Sequence, residues 1–264
     1  MVARVGLARV GAPLLATALA LVVIAADGAR AADWRSASRQ PVGLAPDPAT
    51  TPEAVIQVYA ARTWGWRGTF GVHTWIATKA AGASTFTVYE VVGWRLRWSD
   101  SAVSVSARAP DARWYGSAPE LLADKRGDGV EALIARVAAA VEAYPYASEY
   151  AVWPGPNSNT FTAWVLRQLP ELKADLPPTA IGKDYLGDRI VASAPSGSGV
   201  QFSLAGLLGV LVSGVEGLEV NILGLSFGVN PFDLSIKLPL VGRIGPERRV
   251  ASARAVRAEP ATPQ

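Results

Sequence analysis

Residues 69–94 read TFGVHTWIATKAAGASTFTVYEVVGW, and the pattern of this stretch decides the fold class. Two runs rich in β-branched and aromatic residues, 69–78 and 85–94, flank Lys79-Ala80-Ala81-Gly82-Ala83-Ser84. Small residues with a glycine between two such runs signal a β-hairpin. A hairpin centred between Ala81 and Gly82 sets His73 opposite Glu90, and cross-strand partners share a face. A slip of one residue would turn Glu90 to the other side.

Working outward, residues 54–61 form another strand candidate, with Val55, Ile56, Val58 and Tyr59, and residues 99–118 are less regular. Residues 130–143 carry apolar side chains at Val130, Leu133, Ile134, Val137 and Val141, the spacing of an amphipathic helix, and Pro145 stops it. After Pro154-Gly155-Pro156, Asn157 or Ser158 is suited to cap a second helix that runs to about Leu169. From Val200 to Val229 the chain is apolar and glycine-rich. Leu218, Val220 and Ile222 alternate with Glu219 and Asn221, the strand period of two, and Leu225, Phe227 and Val229 continue it. This reads as strands on both sides of a turn near residues 214–217. The glycines, Glu216 and Glu219 favour a core hairpin or a partner surface over a membrane dip. An early hairpin followed by helices and further strands predicts an α+β fold, with the hairpin packed against the helices.

The N-terminus points to export. Arg4 and Arg9 precede the apolar run Val10 to Ala26, and Ala29-Arg30-Ala31 places small residues where a signal peptidase reads them. Residues 1–31 are therefore expected to be a signal peptide or an uncleaved membrane anchor. The chain beyond them is expected to be periplasmic, secreted or held at the inner membrane. Residues 32–53, with Pro41, Pro46, Pro48 and Pro52, read as a linker. Residues 54–246 read as one domain, and residues 247–264 as a disordered tail.

Composition narrows the chemistry. The 264 residues include no cysteine and one histidine, which excludes a thiol nucleophile, disulfides and a thiolate metal site. No metal or cofactor is implied, since no clustered carboxylates accompany the histidine. The formal net charge is +3, and Arg248, Arg249, Arg254 and Arg257 lie in the tail, so the domain has no broad basic field for nucleic acid. The expected partner is an envelope substrate or protein, with membrane attachment through the N-terminal segment.

Several strings carry a resemblance. Val58-Tyr59-Ala60-Ala61-Arg62-Thr63, Val72-His73-Thr74-Trp75-Ile76, Tyr89-Glu90-Val91-Val92-Gly93-Trp94, Trp153-Pro154-Gly155-Pro156-Asn157-Ser158-Asn159-Thr160-Phe161 and Gly217-Leu218-Glu219-Val220-Asn221 resemble an uncharacterised proteobacterial exported domain family of unknown function. That resemblance brings no activity with it. The order of His73-Thr74-Trp75-Ile76 and then Asn157-Ser158-Asn159-Thr160-Phe161 is also similar to circularly permuted papain-like hydrolases. Those enzymes carry histidine first, on a strand, and the nucleophile later, at a helix start. Here serine stands where that pattern has cysteine.

The second resemblance points to Ser158 as nucleophile and His73 as base; the hairpin register adds Glu90 as orienter, and Asn157, Asn159 and Trp75 are the expected substrate contacts. A serine hydroxyl needs a base, the histidine needs an orienting group, and a helix N-terminus stabilises an oxyanion. The expected function is then a hydrolase or acyltransferase acting on amide or ester bonds of an envelope substrate. The competing reading is a non-catalytic binding or scaffold domain. There, Asn157 or Ser158 caps a helix, His73 is a hydrogen-bonded strand residue and Glu90 is a surface charge.

Overall fold

The computed structural model describes residues 34–246 and Val250, and the 69–94 hairpin lies inside a five-stranded antiparallel sheet. Its strands are β1 (Val55–Arg62), β2 (Val72–Lys79), β3 (Thr87–Val91), β4 (Val103–Ala107) and β5 (Glu120–Arg126), in the order β4-β3-β2-β1-β5. The hairpin pairs Ile76 with Tyr89, Ala77 with Val88 and Thr78 with Thr87. Its centre therefore falls one position later than expected: the turn closes from Ala83 N–H to Ala80 C=O, centred as expected, but Ser84, Thr85 and Phe86 follow it before β3 while only Lys79 precedes it after the last paired residue of β2. Continuing this register sets Trp75, not His73, opposite Glu90. A shift of two residues preserves the face, so Glu90 stays on the His73 side as its diagonal neighbour.

The sheet is buried on both faces. Ile56, Val58, Val72, Ile76, Tyr89 and Val91 pack on one side against helices α1 (Val130–Glu142) and α2 (Ser158–Arg167). Helix α1 turns Val130, Leu133 and Val137 inward as its spacing predicts, with Ala140 beside them and the expected Ile134 and Val141 only partly buried. On the other side Val55, Tyr59, Trp75, Ala77 and Val88 pack with Phe86, Trp114 and Leu121. The stretch expected as a linker is bonded to this side. Leu44 N–H and Ala45 N–H donate to Asp111 Oδ2 at 2.7 and 3.3 Å, and Pro41 bridges to Ala112. Its composition is that of a loop, but a carboxylate far along the chain captures its amides.

Residues 191–244 form a second sheet, a meander of seven antiparallel strands in sequence order. They are β6 (Val191–Ser193), β7 (Gly199–Leu204), β8 (Leu208–Ser213), β9 (Gly217–Ile222), β10 (Leu225–Asn230), β11 (Ser235–Leu238) and β12 (Gly242–Ile244). The β9–β10 turn is a two-residue hairpin whose central residues, Leu223 and Gly224, both have positive φ, the conformation that such turns require. A side chain at Gly224 would also strike the Trp153 indole.

The polarity of this sheet is the reverse of an ordinary half-buried one. Its inner face is hydrogen-bonded and charged, with Gln201, Ser203, Glu219, Asn221, Ser226 and Lys237 all buried. Its outer face is apolar and exposed. Register aligns the outer side chains into rows across the strands. One row runs Val191, Phe202, Val210, Val220, Phe227; another runs Val200, Val212, Leu218, Val229, Ile236, Ile244. All of these are exposed.

The architecture is α+β. Among the described residues no helix is long and apolar enough to cross a membrane. The signal or anchor expected in residues 1–31 lies outside the described residues, as does the expected tail apart from Val250.

Candidate functional site

The alternation of β2 decides what its residues can meet. Odd positions, His73 and Trp75, point to the Trp114 side; even positions, Val72, Thr74 and Ile76, point to the helix side. On the Trp114 side His73 Nε2 lies 2.8 Å from Glu90 Oε2, and Arg108 Nη2 donates to Glu90 Oε1 at 3.1 Å. Trp114 lies flat on the imidazole at 3.7 Å between ring centroids, and Trp94 stacks beyond it. Burial pushes the Glu90 carboxyl up. The His73 hydrogen bond and the charges of His73 and Arg108 outweigh that and hold it below the usual carboxylate range. The expected His73–Glu90 contact is therefore present, through a diagonal rather than a direct pairing. Glu90 is a buried anion rather than the surface charge of the competing reading.

Ser158 lies on the helix side. Thr74, the residue after His73, donates its hydroxyl to the Ser158 carbonyl at 3.3 Å and to Asn159 Oδ1 at 3.0 Å. Ser158 thus lies on the face of β2 opposite to the His73 imidazole, and each residue is about 95% buried. The expected convergence of nucleophile and base does not occur, because His73 is one position out of phase with the face on which α2 packs.

The residues expected to contact substrate are internal. Asn157 caps α2 in a capping box with Thr160, accepting from Asn159 N–H and Thr160 N–H. Its side-chain amide donates to the carbonyls of Val152 and Ile181, both at 3.1 Å. Gly182, with φ of +99°, gives it room: a Cβ there would lie 2.4 Å from Asn157 Nδ2. Asn159 donates to Val72 C=O and Ile181 C=O at 3.0 and 2.7 Å. The Trp75 indole, fully buried, donates to Pro110 C=O at 2.8 Å. Every one of these groups is committed to holding the helix or a loop on the sheet. Among the described residues no group of three His, Asp or Glu side chains could hold a metal ion.

Accessible features lie elsewhere among the described residues. A cleft of about 450 Å³ lies between the proline-bearing segment 41–48 and the ends of β3 and β4, lined by Phe86, Arg108 and Asp111 among others. Its one arginine is already paired with Glu90, and Asp111 already accepts two amides. The larger feature is the outer face of the second sheet, held from behind by charge. Lys183, adjoining Asp184, bonds to Glu219 Oε2, and Lys237 Nζ lies 2.6 Å from Glu219 Oε1 and 2.7 Å from Asp175. Burial alone would push the Glu219 carboxyl up, but the two ammonium groups hold it below the usual range. Asp184 accepts from Gln201, Asn221 and Ser226, so one carboxylate ties β7, β9 and β10 together.

Sequence reading missed Arg108, Trp114 and Lys183, which sit in irregular stretches without periodicity. The signal for Glu219 and Lys237 was present: charged residues at the inward phase of apolar strands.

The chain matches the family model described as "Protein of unknown function (DUF3750)" over residues 53–185, half of its length. No curated protein and no solved structure matches it. The chain belongs to this family of unknown function, and the matched span holds the first sheet, both helices and Asp184, ending before the second sheet.

Proposed function

We propose that this member of the DUF3750 family is a non-catalytic binding or scaffold domain at the periplasmic face of the inner membrane, working through the outer face of its second sheet. The observation that carries this reading is the inversion of that sheet. Fourteen large apolar side chains of β6–β12 stand exposed on one face while the polar ones are buried on the other. Monomeric proteins rarely leave a contiguous apolar patch beyond a few hundred Å² uncovered. Lining it up across seven strands costs solubility and is explained by an occupant.

The envelope location rests on the arginine-flanked run Val10 to Ala26 and the Ala29-Arg30-Ala31 site. Catalysis has no support in the geometry, since the histidine is bound to Glu90 beneath Trp114 and the serine lies across the sheet.

The test is a photoreactive amino acid placed at Val210 or Phe202 of the full chain in growing cells. A covalent adduct at these positions, and none at the exposed control Thr85, is the expected result. Equal absence of adducts at all three positions would remove the reading.

A further inference from the structure

We infer that the occupant of the outer face is a second copy of this chain, docked sheet to sheet through the same face. The inference rests on the scaffold reading and names its partner. Size is the first argument. Seven strands about 4.8 Å apart and up to six residues long at about 3.4 Å per residue give a footprint of about 600 Å². That is close to the roughly 800 Å² per partner of a stable protein interface, so one copy covers the face and little is left over.

Charge is the second argument. An isologous contact buries the same patch on both subunits, so a single ionisable group on the face would be buried twice, and near the axis it would meet its own equivalent. None of the exposed large side chains on β7 to β10 is ionisable; the charges on these strands, such as Glu219, point inward.

Shape is the third. The outer residues are mainly Val, Leu and Ile in rows set by register, the residue type and layout of the inner faces of a β-sandwich, where two sheets interdigitate about 10 Å apart. Coverage is greatest when the two-fold axis crosses the middle of the patch. That middle is β9, with three strands on either side, and Val220 is the outward residue near its centre. The pairing would build a two-sheet sandwich whose polar backs face the two α/β bodies.

The experiment uses the full chain in mild detergent, with light scattering to give the protein mass, and a photoreactive residue at Val220. Two tagged forms of the chain are mixed. The expected result is a dimer that joins the two tags, with adducts mapping to β8–β10 of the other copy. Val210→Asn together with Val220→Asn should raise the dimer dissociation constant by 100-fold or more, since each lost apolar contact counts twice. Far-ultraviolet dichroism should stay unchanged, because both positions face outward, and the Tm should lose only the dimer's contribution and no longer depend on protein concentration. Adducts to lipid alone, or to a different protein, would overturn the second-copy inference and keep the scaffold reading. A monomer with no adduct of any kind, in detergent and in native membranes, would overturn both.

Discussion

Lys237 Nζ lies 2.6 Å from Glu219 Oε1, with both side chains about 97% or more buried behind the second sheet. A meander normally turns its apolar side chains inward, and here the inward positions are given to ions instead. Paired and hydrogen-bonded buried charges are tolerated, but a buried charge that loses its partner is costly. Lys237→Met leaves Asp175 and Glu219 each short of a cation. The expected loss is about 3–5 kcal/mol of stability, read from the denaturant midpoint. A change under about 1 kcal/mol would show that the network does not hold the sheet in place.

His73 and Glu90 carry a second expectation. Truncating His73 leaves a carboxylate buried with Arg108 as its remaining charged partner. His73→Ala should therefore cost about 2–4 kcal/mol. Ser158→Ala should be milder, because the contact that Thr74 makes is to the Ser158 carbonyl, which the substitution keeps. A fluorophosphonate probe, which labels activated serines, should leave Ser158 unmodified in the native protein. Stoichiometric labelling of Ser158 would reinstate a catalytic role.

The pH dependence of stability follows from the same carboxylates. Glu90 and Glu219 both have folded-state pKa values below the ordinary glutamate value. Each therefore contributes stability that is fully present above the unfolded pKa of about 4.3 and is lost as pH falls through the folded value. Stability should be flat in this respect near neutrality and decline progressively in the acid range below that pKa. Glu90→Gln should be less stable at pH 7 and show a shallower acid decline than the wild type. Parallel curves would contradict the assignment.

Much of the fold was legible in the sequence where one physical signal acted alone. The α1 spacing, the Asn157 cap and the β9–β10 alternation are local patterns, and each led to the right element. The hairpin register depended on more than where the loop turns: the 80–83 turn is centred as expected, but Ser84, Thr85 and Phe86 lengthen the loop on the β3 side, and their composition does not show that they stay unpaired with β2. The site failed for a different reason. Whether His73 or Thr74 faces α2 depends on which face of the sheet the helices cover, and no pattern in residues 72–79 carries that information because both faces of β2 are buried. The outer face of the second sheet was also ambiguous. Alternation shows two faces, but only the placement of Lys183 and Asp184 behind the sheet shows that the polar one is inside.

Asn157 offers a check on the helix side. It fills the capping box of α2 and donates to Val152 and Ile181, so Asn157→Ala should cost about 2–3 kcal/mol, above the typical cap alone. Gly182→Ala should be similarly destabilising, since its Cβ would fall on the Asn157 side chain at a positive φ. Thermal denaturation reads both, and a neutral Asn157→Ala would show that the cap is dispensable.

Thiol accessibility shows whether the outer face of the second sheet is covered in the working protein. The chain has no cysteine, so Val220→Cys and Thr85→Cys each introduce one reporter at a side chain that is open to solvent in the single chain. The two full-length variants are treated with a membrane-impermeant maleimide in native membranes from lysed cells, and again after denaturation. The Val220 thiol should react at least tenfold more slowly than the Thr85 thiol in the native preparation, and at the same rate once denatured. Equal rates in the native preparation would contradict it.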